Sequence, residues 1–165
     1  MTEGFSTRTP QQALAALLDQ QAAQRLLVVG AEQFPALDAY RAAHPGSHIA
    51  VCAAGALPPD LASQRFDLAV VVDCLEHLPK LTGLRLLGGI RNLNASRIAV
   101  LVDLAASGWS VTDFYSLALQ ANERFERDGQ VLTLFTYDLR EYKQVPDWLN
   151  ARFWANPENF GKYWW

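Results

Sequence analysis

The sequence has few of the features that mark secreted, membrane or nucleic-acid-binding proteins. Its 165 residues include only two cysteines, too few for a disulfide framework. The net charge is −3 and no run of Lys or Arg exceeds two residues, which argues against binding to nucleic-acid phosphates. The N-terminus carries no apolar leader segment, and no apolar run approaches the roughly 18 residues of a membrane span. The sequence therefore predicts a cytoplasmic protein that binds neither nucleic acid nor membrane.

Metal-ligand spacing within a single helix or strand is also missing. The soft ligands that the chain offers are His44, His48, Cys52, Cys74 and His77. The first two flank a Pro-Gly turn, and no two of the five show Cys-x-x-Cys or His-x-x-x-His spacing on one element. We therefore expect no metal site.

Half of the residues are hydrophobic, which is enough to give a single domain a buried core. Residues 1–145 alternate between short apolar segments and segments of helical periodicity, so they predict an α/β domain with parallel strands. Strands are predicted at 24–29, 48–53, 68–72 and 97–102, and helices at 9–22, 34–43, 78–92 and 110–122. Asp128-Gly129 predicts a type I′ turn that joins two antiparallel strands, 123–127 and 130–137. The segment 54–65 is predicted to be a loop or a short crossover, because Pro58-Pro59 disfavours a helix at its start.

The segment Leu68–Val72 is the centre of this pattern. It is apolar without period-2 alternation, as expected of a strand that is buried on both faces of a sheet. Asp73, Cys74, Glu76 and His77 follow it immediately. Because open α/β sheets bind ligands at the carboxyl ends of their strands, we expect a functional site at these four residues.

Each of these side chains also has a purely structural interpretation. Asp73 and Glu76 have the spacing of a helix cap, with Asp73 as N-cap, and this is the favoured interpretation for Asp73. Glu76 and His77 are either a catalytic base and its orienting group or the solvated start of a helix. Cys74 and His77, three residues apart, are more often a coincidence than a thiolate pair. Asp103 follows the predicted strand 97–102 and is either a second pocket carboxylate or an ordinary loop residue.

The order of elements and the segment from Phe66-Asp67-Leu68 to Leu75-Glu76-His77-Leu78-Pro79 resemble class I S-adenosylmethionine-dependent methyltransferases. The segment is similar to the fourth strand of that family and the "LEHL" element after it, and the leucine-rich helix followed by Arg97–Asp103 is similar to the fifth strand. The resemblance covers about residues 24–137. It implies a Rossmann-like methyltransferase-type sheet that ends in an antiparallel hairpin, with S-adenosylmethionine bound beside Gly30, Ala31, Asp73 and Cys74.

The chain departs from the family in three places. After the first strand only Gly30 of the glycine-rich loop is kept, and side chains at Ala31, Glu32 and Phe34 are expected to narrow the cofactor pocket. After the second strand the family has a carboxylate for the ribose hydroxyls, whereas this chain has Cys52-Ala53-Ala54. The segment 30–65 has room for one strand–helix unit of roughly 30 residues but not two, so one unit is expected to be missing.

Residues 146–165 form a second region with four of the five tryptophans. We expect this aromatic segment to pack on the domain, to form a dimer or partner interface, or to close over a ligand. Trp109, Trp164 and Trp165, together with Asp103, are the predicted substrate or partner contacts.

Two functions remain open from the sequence. The first is methyl transfer from S-adenosylmethionine to a small molecule or protein, with Glu76 or His77 as base. The second is an inactive pseudo-methyltransferase that binds a partner protein or another small ligand.

Overall fold

The structure, a computed structural model, describes residues 5–139, except for the side chain of Arg127. The strands are β1 Arg25–Gly30, β2 His48–Cys52, β3 Leu68–Val72, β4 Arg97–Val102, β5 Gln120–Arg127 and β6 Gln130–Asp138. The α-helices are α1 Pro10–Gln21, α2 Pro35–Ala43, α3 Pro59–Ala62, α4 Lys80–Gly89, α5 Leu104–Ser107 and α6 Val111–Ser116. A 3-10 turn, Leu75–His77, precedes α4, and a π turn, Ile90–Asn94, follows it.

The strands form one sheet in the order β2-β1-β3-β4-β6-β5. The first four strands along the chain are parallel, and β5 and β6 form an antiparallel hairpin beside β4. The hairpin turn has positive φ at both central residues, 51° at Asp128 and 79° at Gly129, as a type I′ turn requires. This architecture confirms the predicted Rossmann-like methyltransferase-type fold with a C-terminal hairpin.

Helices cover both faces of the sheet. The apolar residues of α1 and α2 pack on one face, where Leu14, Leu37 and Tyr40 are buried. The residues of α4 and α6 pack on the other face, where Leu87 and Phe114 are buried. All five residues of β3 are buried, as expected for the central strand of such a sheet.

The connection from β2 to β3 contains a single helical turn, α3, and no strand. One strand–helix unit is therefore missing between β2 and β3, as expected. The start of this segment is a loop, as expected from Pro58-Pro59, and the single turn α3 begins at Pro59 itself. Proline is tolerated at the first helical position, where its missing N–H has no partner to lose.

Two predicted helices differ from the structure. The helix predicted for 78–92 begins later, since the chain is extended at Leu78 and Pro79 before α4 starts, and Leu81 in its first turn is 58% exposed. The helix predicted for 110–122 ends at Ser116 because β5 begins at Gln120. Tertiary pairing of the edge strand overrides local helix propensity there.

Candidate functional site

The chain leaves the carboxyl end of β3 through a strained residue. Asp73 has φ of +53°, a left-handed conformation that costs a non-glycine residue about 1 kcal/mol or more. Its Oδ1 lies 2.8 Å from His77 Nε2, and the two side chains are 65% and 59% exposed. The predicted N-cap role of Asp73 was wrong: the 3-10 turn begins after Cys74, and Asp73 contacts His77 instead.

Glu76 connects the exits of two strands. The backbone N–H of Asp103, just after β4, donates to Glu76 Oε2 at 2.8 Å. The other carboxylate oxygen, Oε1, is buried and has no hydrogen-bond partner among residues 5–139. Glu76 is therefore not the solvated start of a helix, because its carboxylate turns inward and ties β3 to β4.

Cys74 is buried, with 1% of its surface exposed. Burial raises the pKa of its thiol to about 12, although the backbone N–H of Gly55 acts in the opposite direction. A thiol with such a pKa is protonated at neutral pH and is a poor nucleophile. Because His77 is paired with Asp73, the structure gives no support to a Cys74–His77 thiolate pair.

The carboxyl end of β1 is packed against its own chain. Gly30 has φ of +106°, and a methyl group there would overlap the carbonyl oxygen of Val72 and lie 2.8 Å from Cys74 Cβ. The next amide, that of Ala31, donates to the same Val72 carbonyl at 2.8 Å. Phe34 is 6% exposed within the α1–α2 core, so the expectation that its ring narrows a cofactor pocket was wrong.

The carboxyl end of β2 carries no carboxylate, as the sequence showed. Cys52 is half-buried, and burial raises the pKa of its thiol. The following loop turns inward, since Ala54 and Leu57 pack against the core that contains Cys74.

Asp103 caps a helix. Its Oδ1 accepts a hydrogen bond from the Ala106 amide at 3.1 Å, which makes it the N-cap of α5. Its Oδ2 accepts from Gln130 Nε2 at 3.1 Å. Asp103 thus binds the hairpin turn to α5.

Trp109 is a core residue in this structure, with 4% exposure. Its ring packs on Phe114 with centroids 4.8 Å apart, and a methyl group at Gly83 would lie 2.8 Å from its Cζ2. Its indole N–H has no hydrogen-bond partner among the described residues. The other predicted contacts, Trp164 and Trp165, and the aromatic segment 146–165 lie outside the described residues.

A cavity of about 730 Å³ opens beside Asp103, between α5, the start of α6 and the β5–β6 hairpin. Arg124 and Thr133, which the sequence analysis did not single out, line this cavity. Within the described part of the chain, no three His, Cys, Asp or Glu side chains cluster closely enough to hold a metal ion. Among residues 5–139, no helix combines the length and apolar character of a bilayer span.

Comparison with solved structures finds the same fold in S-adenosylmethionine-dependent methyltransferases. The N-terminal domain of EvdMO1, solved with SAH bound, superposes with a TM-score of 0.54 at 14% identity, covering 80% of this chain and 82% of that chain. The 1,6-didemethyltoxoflavin-N1-methyltransferase of Burkholderia thailandensis, solved with 1,6-didemethyltoxoflavin and S-adenosylhomocysteine bound, gives a TM-score of 0.54 at 15% identity, covering 77% of this chain and 76% of that chain.

Human N-acetylserotonin methyltransferase, solved with SAM, gives a TM-score of 0.50 at 10% identity. The alignment covers 78% of this chain and 51% of the human enzyme, so this chain spans about half of that enzyme's length. These superpositions establish the class I methyltransferase-like fold. At such low identities they do not establish the activity. No curated protein sequence matches the chain. A family model does match, over residues 8–165, and the chain therefore belongs to that family, described as a family of unknown function (DUF6231).

Proposed function

We propose that this protein is a methyltransferase-fold binding protein that does not transfer methyl groups. The observation that carries the proposal is the carboxyl end of β2, where Cys52-Ala53-Ala54 offers no carboxylate and the next loop packs against Cys74. In this proposal the chain binds a small ligand or a partner protein at the carboxyl edge of its sheet.

S-adenosylmethionine does not fit the residues at this edge. The family resemblance implies a carboxylate that accepts hydrogen bonds from both ribose hydroxyls, and at Cys52, Ala53 and Ala54 only backbone groups and a half-buried thiol are present. A buried hydroxyl without a partner costs about 1 to 3 kcal/mol. Two such hydroxyls would weaken cofactor binding substantially.

The retained glycine is explained without a cofactor. Gly30 is needed because its own chain, at Val72 and Cys74, occupies the space that a side chain would fill. Its positive φ is a further reason for glycine at this position. The glycine therefore supports the fold and is not an argument for cofactor binding.

The two candidate bases already form contacts with other residues. Glu76 accepts the Asp103 amide and has a buried carboxylate, whereas His77 is exposed and pairs with Asp73. A general base must reach the proton that it removes. Neither side chain lines the cavity beside Asp103.

Methyl transfer is the second candidate, favoured by the fold shared with enzymes solved with SAM or SAH. Calorimetry and thermal melting with S-adenosylmethionine and S-adenosylhomocysteine distinguish the two. We expect no heat of binding and no change in melting temperature at about 5 mM ligand. A dissociation constant near 50 μM would instead add about 2.7 kcal/mol of stability, or about 5 to 10 °C, and would overturn the proposal.

A matched pair of variants measures the part played by the missing carboxylate. Ala53→Asp restores an acidic residue directly after β2, and Ala56→Asp places the same charge three residues further along the loop; both positions are exposed. We expect S-adenosylhomocysteine binding to become measurable for Ala53→Asp and to remain undetectable for Ala56→Asp. Equal behaviour of the two variants would show that the carboxylate is not the barrier.

A further inference from the structure

We propose that the cavity beside Asp103 binds a small zwitterion with an apolar body, such as an apolar α-amino acid. The inference rests on the proposed binding role of the carboxyl edge. The cavity has a volume of about 730 Å³ and lies on the face of the sheet that α5 and α6 cover. Its apolar walls are Leu104, Ala105, Val111, Ala121 and Val131.

Arg124 is the cationic group of the cavity. It forms no ion pair with any described carboxylate, whereas Arg8 and Arg97 pair with Glu123 and Asp138. The Arg124 guanidinium instead lies 5.0 Å from the centroid of the Phe5 ring. A ring contact of this kind positions the guanidinium without neutralising it, so its fork of donors stays available for a carboxylate.

The backbone of Arg124 is held in place as well. The Ser6 amide donates to the Arg124 carbonyl at 2.7 Å, and Arg124 is registered opposite Thr133 on β6. The cation therefore projects from a paired strand rather than from a loose loop. A strand position that is already ordered does not have to be ordered again when a ligand binds.

Thr133 provides an independent observation. The residue is 3% exposed and lines the cavity, yet its hydroxyl makes no hydrogen bond with any described residue. The hydroxyl oxygen itself is not fully buried, so it can form a hydrogen bond with a molecule in the cavity. A ligand carboxylate held by Arg124 would give the Thr133 hydroxyl an acceptor, since the two residues are cross-strand neighbours.

The cavity also contains negative charge, which is why the ligand is a zwitterion and not a simple anion. Asp103 and Asp128 both line it. Asp103 already accepts hydrogen bonds from Ala106 and Gln130, whereas Asp128 forms no ion pair with any described residue, Arg124 included. Arg124 and Asp128 are both exposed at this largely apolar cavity and form no ion pair with a described residue, so they are complementary to a carboxylate and an ammonium group on the same small molecule.

Three probes test this assignment. They are L-phenylalanine, 3-phenylpropionate, which lacks the ammonium group, and phenethylamine, which lacks the carboxylate. Each is titrated into the full chain to about 20 mM while the amide resonances of Leu104, Val131 and Thr133 are followed by NMR. We expect L-phenylalanine to shift these amides and to bind at least about tenfold more tightly than either analogue.

Two variants test which charged side chain binds the carboxylate of the ligand and which binds its ammonium group. Arg124→Gln should abolish the preference for L-phenylalanine over phenethylamine and keep the preference over 3-phenylpropionate, and Asp128→Asn should do the reverse. Asp128→Asn preserves the turn, because Asn-Gly is a favourable type I′ sequence. Arg41→Gln, an exposed arginine on α2, is the control and should change neither preference.

The inference is overturned if L-phenylalanine shifts none of the three amides, or if all three probes bind equally. Titration of the same sample with S-adenosylmethionine separates this result from a failure of the proposed function. Binding at the cofactor position would shift the amides of Gly30 and Ala31. Binding of amino acids would shift those of the cavity.

Discussion

The two halves of the carboxyl edge of the sheet are built differently. At the ends of β1, β2 and β3 the chain packs against its own backbone and side chains. The Ala31 amide donates to the Val72 carbonyl, and the loop after β2 lies against Cys74. At the end of β4 and the hairpin, the side chains of Arg124 and Thr133 line a cavity and form no hydrogen bond or ion pair with any residue from 5 to 139. In the proposed function, the half of the edge formed by β1, β2 and β3 is closed to the cofactor, whereas the half formed by β4 and the hairpin is open to a ligand.

The largest effect is expected from Gly30→Ala, which tests whether the β1 half is closed. The new methyl group would overlap the Val72 carbonyl at a residue with φ of +106°, so we expect a loss of about 4 kcal/mol or more in the free energy of unfolding. Urea denaturation measures it.

Gly88→Ala is the matched control for that experiment. Gly88 lies within α4 and has no atom within 4 Å of the position where a methyl group would be added, so the variant should gain about 0.5 to 1 kcal/mol. A loss below about 1 kcal/mol for Gly30→Ala would show that the space above β1 is open, and the contrast between the two halves would fail.

Thiol labelling tests the same half at β3. The pKa of Cys74 is raised from 9.0 to about 12, so at pH 8 its thiolate fraction is about a thousandfold below that of an unfolded chain. We expect the native Cys52→Ser protein to react with a disulfide reagent about a thousandfold more slowly than the same protein in urea. Rapid native labelling would indicate an activated Cys74 and would favour a catalytic site.

The same pKa predicts a loss of stability in alkali. Below about pH 9 the Cys74 thiol is protonated in both states, and its contribution to stability does not change with pH. Above pH 9 the unfolded thiol releases its proton while the folded thiol retains it, until pH reaches about 12. The free energy of unfolding should therefore fall over this range, and Cys74→Ala should reduce the slope.

A moderate effect is expected at Glu76, where the two halves meet. Glu76→Ala removes the acceptor of the Asp103 amide and should cost about 2 kcal/mol in thermal or urea unfolding. Glu76→Gln keeps an oxygen acceptor and should cost less than half as much. Glu32→Ala, at an exposed position, serves as control and should be neutral. If both Glu76 variants were neutral, the link between β3 and β4 would contribute nothing to stability.

Much of the fold could be predicted because local signals agree with it. The unbroken apolar segment Leu68–Val72 predicts a central strand, and Asp128-Gly129 predicts the hairpin turn. The absence of a carboxylate after β2 follows from the amino-acid sequence alone. The main features of the closed half could therefore be predicted from the sequence.

The residues of the open half could not be predicted from the sequence, for a physical reason. A β-bulge between Ala121 and Glu123 changes the register of β5, and this change brings Arg124 opposite Thr133. A shift by one residue exchanges the two faces of a strand, so no alternation pattern could assign Arg124 to the cavity. The bond between Glu76 and the Asp103 amide joins residues far apart in sequence, and no local pattern encodes it.

The smallest expected effect, at Thr133, sharpens the comparison most. Thr133 is 3% exposed, and Thr133→Val removes a hydroxyl that has no partner among the described residues while keeping the side-chain volume, so stability should rise by up to about 1 kcal/mol. The same change should weaken binding of L-phenylalanine, because the ligand carboxylate loses a donor. Thr136→Val, on the opposite face of β6, should leave binding unchanged. A Thr133→Val protein that gained stability and bound L-phenylalanine as before would mean that the hydroxyl serves no ligand. A gain in stability together with weaker binding would show that the open half of the edge gives up stability for recognition.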